Sequence, residues 1–152
     1  MANDLIATHY GIEPMSPARI DEVRAFEGRL AELPQVDIDT HHVIHGGMYA
    51  RTIRIPAGVA LTGAEVKLAT VLIVSGHVRV TIDDGTRDLA GYHVLAAAPG
   101  RKQAFLALAD TDLTMIFPTQ SRTVEDCEAE FTDEADRLMS RTGHNTIVIT
   151  GD

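Results

Sequence analysis

The chain has 152 residues, which suits a single domain with a core of its own. Thirteen basic against twenty-two acidic residues give a formal net charge of −9, which argues against nucleic acid and anionic membranes as partners, because both are bound through clustered lysine and arginine. The single cysteine, Cys127, excludes a disulfide framework and a thiolate metal site. The N-terminus lacks a signal-peptide pattern and no apolar run is long enough to span a membrane. We therefore expect a location in a cytoplasm, or in a particle assembled there, without secretion.

Residues 1–39 are predicted to form an arm followed by a helix. Ser16 is placed as the N-cap and Pro17 as the first helical residue. Apolar residues then recur at helical spacing, at Ile20, Val23, Phe26 and Leu30. Pro34 ends the pattern. The apolar stripe predicts a helix that docks on the rest of the domain or on a second copy.

Residues 40–120 carry strand signals. Alternating or continuous apolar runs lie at 52–55, 71–74, 78–82, 89–98, 104–108 and 113–117. Gly76 and Gly91 are predicted to interrupt strands, and Asp83-Asp84-Gly85 is a hairpin turn signal. Many short strands separated by turns predict a mainly-β sandwich or barrel.

Residues 121–152 have a different pattern. Thr123 is a candidate cap for a short acidic helix that runs through Glu130, and Thr132 for a second helix through Met139. The segment TIVIT (146–150) is a candidate final strand, either on the edge of the sheet or on a neighbouring subunit.

Two stretches carry a family resemblance: MYARTIRIPAGVALTG (48–63) and TVLIVSGHVRVTIDDGTRDLAGYHVLAAAPGRKQAFLALADT (70–111). They resemble the small cupin-like, or jelly-roll, proteins encoded by many tailed bacteriophages. The resemblance implies a single cupin barrel with an N-terminal helix and short C-terminal helices. It implies no particular function, since most members of this group have no assigned role and a fold does not determine a function.

The relatives usually carry three metal-binding histidines. Two follow the LTG turn four residues apart, and the third lies in the strand after the PG turn. Aligned by these turns, the positions here are Val66, Thr70 and Leu108. A cupin metal site needs about three converging imidazole or carboxylate ligands. The resemblance therefore implies a barrel without a metal or other cofactor.

The remaining histidines include a cluster of His41, His42 and His45. On a strand, His41 and His45 share one face and His42 lies on the other. Two histidines on one face are half of a zinc site, or else a polar strand end that faces solvent or a subunit interface.

Arg51 and Arg54 lie on opposite faces of one strand, so one of them is expected to point inward or into an interface. Arginine is suited to recognising an anion in a pocket. Together with Tyr49 and Thr70, these arginines are the candidate residues of a small-molecule site inside the barrel. The alternative is a pair of surface arginines that contact nearby acidic groups.

These observations predict a metal-free, non-catalytic module. In the context of the resemblance we expect an accessory or virion-associated phage protein that decorates or joins capsid subunits, and a homo-oligomer. One alternative is a binder of an anionic metabolite or nucleotide in the barrel. Another is a metal-independent sugar isomerase or epimerase, which would need a histidine base inside the barrel.

Overall fold

A computed structural model of the chain describes residues 10–151, so that the first part of the predicted N-terminal arm lies outside the described residues. Nine strands in this range form a mainly-β jelly-roll barrel, as the sequence predicted. The strands are β1 (Gly11–Ile12), β2 (Thr40–His45), β3 (Met48–Ile55), β4 (Ala60–Thr62), β5 (Thr70–Ile82), β6 (Gly85–Ala97), β7 (Ala104–Ala107), β8 (Thr111–Pro118) and β9 (Asn145–Ile149). The helices are α1 (Pro17–Leu30) and α2 (Val124–Phe131), followed by two 3₁₀ turns, Ala135–Arg137 and Met139–Arg141.

The long hairpin β5–β6 joins the two layers of the barrel. One layer has the order β1-β6-β5-β8-β3-β2-β9, and the other adds β7 and β4 to the second half of β5. The prediction that Gly76 and Gly91 interrupt strands was wrong, because the two glycines pair with each other inside the continuous hairpin. Gly76 has a φ of +143°, and a Cβ at this position would lie 2.5 Å from the carbonyl oxygen of Asp110. The glycine therefore allows the β7–β8 turn to approach the strand closely.

Every second side chain along the strands points into the barrel, and these side chains form its core. Strand β2 alternates strictly between buried and exposed residues, and most of β3, β5 and β8 alternates between buried and less buried residues. The main core cluster consists of aliphatic residues from several strands, including Ile55, Leu61, Leu72, Val74, Val78, Val80, Leu89, Leu95 and Leu113. Burial of this surface is the dominant favourable contribution to folding.

The N-terminal helix begins as predicted. The Ser16 side chain accepts a hydrogen bond from the backbone N–H of Arg19, and Pro17 lies in the first turn. Ile20 and Val23 are buried against the barrel in a small cluster that includes Ala104. The predicted apolar stripe therefore docks α1 on its own barrel.

The C-terminal region agrees with the prediction in part. Thr123 caps α2, but the second predicted helix, from Thr132 through Met139, was wrong. Leu138 has an extended backbone between the two 3₁₀ turns, and the side chains of Leu138 and Met139 pack against the core clusters. Strand β9 pairs in parallel with β2 at the edge of the sheet. Between residues 10 and 151, no helix combines the length and the apolar character that crossing a bilayer requires.

Candidate ligand-binding cavity

A cavity of about 150 Å³ lies inside the barrel, beside the C-terminal segment of residues 132–141. We call it the barrel cavity. Most of its wall is apolar and comprises Ile53, Leu61, Val66, Leu72, Phe105, Leu113, Met115, Phe131, Leu138 and Met139. The polar side chains of the wall are Glu27, Arg51, Thr62, Arg101, Gln103, Glu134 and Arg137. An apolar pocket with a few convergent polar groups is typical of a small-molecule site.

Arg101 is the most unusual residue of the barrel cavity. It follows the Pro99-Gly100 turn and is 3% exposed. Its guanidinium donates hydrogen bonds to neutral acceptors only, the carbonyl of Ala98 (2.8 Å) and the hydroxyl of Thr70 (2.8 Å), with a longer contact to the carbonyl of Leu68 (3.5 Å). None of the carboxylates in residues 10–151 forms an ion pair with it. Burial without a counter-charge lowers the pKa of Arg101 to about 10.

Arg51, in contrast, is neutralised inside the protein. Its guanidinium lies 2.7 Å from a carboxylate oxygen of Glu128 on α2, and Glu128 is 1% exposed. It also donates to the hydroxyl of Ser140 (3.1 Å) and lies over the ring of Phe131. The same carboxylate accepts hydrogen bonds from Ser140 and from Arg141. This buried ion pair therefore ties the C-terminal segment to the barrel.

The charge of Glu128 is maintained by these partners. Burial alone would raise the pKa of Glu128, but the hydrogen bonds from Ser140 and Arg51 and the charge of Arg51 lower it on balance. The carboxylate is therefore ionised at neutral pH, and the Arg51 guanidinium carries no uncompensated charge into the cavity wall.

A hydrogen-bonded chain continues from Arg51 into the sheet. Asn145 donates through its amide to the carbonyls of Ser140 and Gly143, so its side-chain oxygen is an acceptor, and His42 Nε2–H donates to it (2.6 Å). His42 Nδ1 then accepts from the hydroxyl of Tyr49 (2.6 Å), which itself accepts from Arg51 (3.3 Å). The chain requires a neutral imidazole with its proton on Nε2.

Burial keeps this network in its neutral state. Desolvation, assisted by the charge of Arg51, lowers the pKa of His42 below its ordinary value near 6.5. Desolvation likewise raises the pKa of Tyr49 to about 12. Protonation of His42 would replace the acceptor at Nδ1 with a donor and would break its hydrogen bond from Tyr49.

We expect the free energy of unfolding to fall as the pH falls from about 7 to 5. His42 has a lower pKa in the folded state than in the unfolded state, so the unfolded chain takes up its proton first and is favoured below the unfolded pKa. The slope is at most about 1.4 kcal/mol per pH unit for one proton. Urea unfolding at several pH values measures it. His42→Gln should flatten the slope, whereas His41→Gln, on the exposed face of the same strand, should leave it unchanged.

A cluster of charges lies at the rim of the barrel cavity. Lys102 is 1% exposed, and its ammonium contacts Glu27 (3.0 Å), Glu134 (3.1 Å) and the carbonyl of Gly63 (2.9 Å). Glu27 also accepts from the hydroxyl of Thr62 (2.6 Å). Burial alone would raise the pKa of Glu134, but the backbone N–H of Glu65 and the Lys102 ammonium lower it on balance. The carboxylate of Glu134 is therefore ionised, and both rim carboxylates are paired with Lys102.

The four predicted ligand-binding residues occupy different places. Arg51 lines the barrel cavity, and Thr70 lies behind Arg101 as its acceptor. Tyr49 is fully buried in the hydrogen-bonded chain with His42. Arg54 points outward and is exposed beside Asp110 and Asp112, because it lies on the face of β3 opposite Arg51. The predicted choice between the two arginines is thus settled by geometry, while ligand binding by these residues stays a prediction.

The positions aligned with metal ligands need one correction. Val66 lines the cavity, but Leu108 is 41% exposed in the turn after β7 and does not face the interior. The residues after the Pro99-Gly100 turn that do reach the cavity are Arg101, Gln103 and Phe105, since the alternation of this segment points them inward. In the described part of the chain, no group of three histidine, cysteine or acidic side chains is placed to hold a metal ion.

The histidine cluster has the predicted alternation. His41 and His45 are exposed on one face of β2, and His42 is buried on the other. His45 contacts the hydroxyl of Thr150 through Nδ1 (2.8 Å).

Sequence reasoning missed Arg101, Glu128 and Gln103. The available signal for Arg101 and Gln103 was their position after the Pro99-Gly100 turn, where alternation directs every second side chain inward. No comparable signal marked Glu128 among the twenty-two acidic residues of the chain. Its role depends on the docking of α2 on the barrel.

Comparison with known proteins adds structural neighbours only. No protein family and no curated protein matches the sequence. A cupin superfamily protein from Desulfitobacterium hafniense is 17% identical, with a TM-score of 0.46 over 60% of this chain and 86% of that one. A cupin 2 conserved barrel domain protein from Leptotrichia buccalis is 10% identical, with a TM-score of 0.44 over 59% and 44% of the two chains. The cupin_2 domain of an XRE family regulator from Enterobacter cloacae is 16% identical, with a TM-score of 0.39 over 47% and 83%. These neighbours are cupin-superfamily proteins, and nothing in them points to a phage origin.

Proposed function

We propose that the chain is a non-catalytic cupin-like module whose barrel cavity binds a small organic anion, with the guanidinium of Arg101 against the anionic group. The observation that carries the proposal is the buried Arg101, which lines the cavity without a carboxylate partner among residues 10–151. A buried charge without a partner is expensive, so it is found where a ligand or a reaction uses it. An anion bound in the cavity would supply the missing counter-charge.

The isomerase or epimerase alternative requires a general base that reaches the ligand. The buried histidine, His42, is engaged at both ring nitrogens and is not part of the cavity wall. The rim carboxylates of Glu27 and Glu134 are held by Lys102. These contacts favour binding over reaction.

The experiment is a thermal-shift screen of the whole chain against small carboxylates, phosphates and matched neutral amides. A ligand at about 100 times its Kd adds about 2.7 kcal/mol to the free energy of unfolding, which raises the Tm by roughly 5–10 °C for a chain of this size. We expect some anions to produce this shift in the wild type and in Arg54→Met, which removes an arginine from the outer surface. Arg101→Met should lose it. A screen in which no anion gives a shift that depends on Arg101 would refute the proposal.

The predicted homo-oligomer and virion association stay predictions. Large apolar side chains are exposed on the outer face of the sheet, among them Tyr92 (69%), Val94 (50%) and Val71 (43%), and exposed apolar patches are common at protein interfaces. Analytical ultracentrifugation would measure the oligomeric state, and mass spectrometry of purified phage particles would test the virion role.

A further inference from the structure

We propose that the barrel cavity selects a monocarboxylate with a compact apolar body of about six to nine carbon atoms. This inference rests on the proposed function, and it narrows the ligand from any small anion to one chemical class. Three properties of the site lead to it: the charge inside the barrel, the N–H groups of Arg101 that have no strong acceptor, and the volume and apolar wall of the cavity.

The interior charge favours a single negative charge on the ligand. The buried guanidiniums at the cavity are those of Arg51 and Arg101, and Arg51 is already neutralised by Glu128. Arg137 also reaches the rim, but it is exposed, so water screens its charge. Arg101 is therefore the buried guanidinium of the wall that has no carboxylate partner among residues 10–151. The rim carboxylates of Glu27 and Glu134 share the Lys102 ammonium. A monoanion balances the charge of Arg101, whereas a phosphate monoester, with about −1.5 to −2 charges at pH 7, would leave a buried negative charge in excess.

The donors of Arg101 suit a carboxylate. One Nη group is directed at the carbonyls of Ala98 and Leu68, and the other at Thr70 (2.8 Å) and at the thioether of Met115 (3.9 Å). A thioether is a weak acceptor, and within residues 10–151 the Nε–H has no acceptor. The guanidinium thus retains about two N–H groups for a ligand. Two parallel hydrogen bonds are what a carboxylate accepts from an arginine.

The wall of the cavity suits an apolar body of limited size. Its sides are formed by aliphatic and aromatic residues, such as Leu61, Leu72 and Phe105. The cavity has a volume of about 150 Å³, and a cavity of about this volume accommodates a molecule the size of benzene. A nucleotide has more than about twenty non-hydrogen atoms, so most of it would lie outside this volume, beyond the apolar wall.

Isothermal titration calorimetry of the whole chain tests the class with matched probes. Benzoate and cyclohexanecarboxylate represent it, benzamide removes the charge, phenyl phosphate doubles the charge, and 4-phenylbenzoate enlarges the body. We expect at least one of the two compact carboxylates to bind at least tenfold more tightly than benzamide, phenyl phosphate, 4-phenylbenzoate and adenosine monophosphate. The preference over benzamide should disappear in Arg101→Met and persist in Arg54→Met.

The outcomes separate this inference from the proposed function. Tighter binding of phenyl phosphate or adenosine monophosphate that is lost in Arg101→Met would overturn the carboxylate class and leave the anion-binding function standing. Equal binding of benzoate and benzamide would overturn the class as well. If no anion binds in a way that depends on Arg101, both proposals are overturned. The intact Tm of each variant without ligand shows that it is folded.

Discussion

Replacing Glu128 with glutamine is expected to lower the free energy of unfolding by about 3–5 kcal/mol, because it leaves the Arg51 guanidinium buried without a counter-charge. Glu128 is 1% exposed and lies 2.7 Å from Arg51. Glutamine retains the shape of the side chain but cannot neutralise the arginine. Urea unfolding followed by circular dichroism measures the loss. Glu125→Gln is the matched control, since Glu125 is exposed on the same helix, and its change should stay within about 1 kcal/mol.

The double variant Arg51→Met with Glu128→Leu tests whether the loss of stability in Glu128→Gln comes from the unpaired charge of Arg51. Removing both charges avoids the stranded guanidinium, and buried pairs replaced by apolar residues often lose little stability. We expect the double variant to be more stable than Glu128→Gln by at least about 1 kcal/mol. If the two are equally unstable, shape and hydrogen bonding at Glu128 matter more than its charge, and the stated reason for the loss is wrong.

The ion pair of Arg51 and Glu128 also predicts that the free energy of unfolding decreases in acid. The lowered pKa of Glu128 means that its contribution is present above the ordinary pKa of a glutamate, near 4.3, and is lost as the pH falls through the lower value of the folded state. We expect the wild type to lose stability steeply below about pH 4.5, and Glu128→Gln to show a smaller slope there.

Replacing Arg101 with methionine is expected to have the opposite sign and to stabilise the ligand-free protein. Burial lowers the pKa of Arg101 to about 10. For a base, a lower pKa in the folded state means that the charged form destabilises the fold at every pH below about 10, by an amount on the order of 3 kcal/mol. Methionine removes this penalty but leaves the acceptors of Ala98 and Thr70 without their donor, which costs about 1–2 kcal/mol.

The expected net effect of Arg101→Met is a gain of about 1–2 kcal/mol, or a rise in Tm of roughly 3–6 °C. Thermal unfolding without ligand measures it. Arg54→Met removes the same group from the exposed surface and should change stability by no more than about 0.5 kcal/mol. A gain in stability together with loss of anion binding would show that Arg101 is retained for function at the expense of stability. A loss of 1 kcal/mol or more would show instead that Arg101 holds the barrel together.

Local sequence signals predicted much of the fold. Ser16-Pro17 marked the start of α1. A capping hydroxyl accepts a hydrogen bond from a free N–H of the first turn, and a proline in that turn has no N–H, so both signals lie within a few residues of the N-terminal end. Asp83-Asp84-Gly85 marked the β5–β6 turn, where Gly85 has a φ of +98°. The alternation of strand residues predicted that His42 lies opposite His41 and His45, and that Arg51 lies opposite Arg54, and both predictions are confirmed. Which residues share a face depends only on the period of a strand, so it can be predicted without knowledge of the neighbouring strands. Which face points inward depends on how the barrel packs.

Glycine was a less reliable signal inside the hairpin. A positive φ commonly ends a strand, but at Gly76 it serves the close approach of Asp110, which lies 34 residues further along the chain. Likewise, the segment after Thr132 has helical composition, yet its backbone follows the contacts of Leu138 and Ser140 with the barrel and α2. In both places a tertiary contact outweighs the local preference.

The sequence by itself determined the jelly-roll class, the capped N-terminal helix and the opposite faces of Arg51 and Arg54 and of His42 and His41. It did not determine which of these faces points into the barrel. Only the tertiary structure decided which of the inward charges has a partner. Glu128 reaches Arg51 across 77 residues and Asn145 reaches His42 across 103, whereas Arg101 meets only neutral acceptors. The period of a strand is a local property of the backbone, but the neutralisation of a buried charge depends on distances between residues remote in the chain, which are defined only when the barrel closes and α2 docks on it.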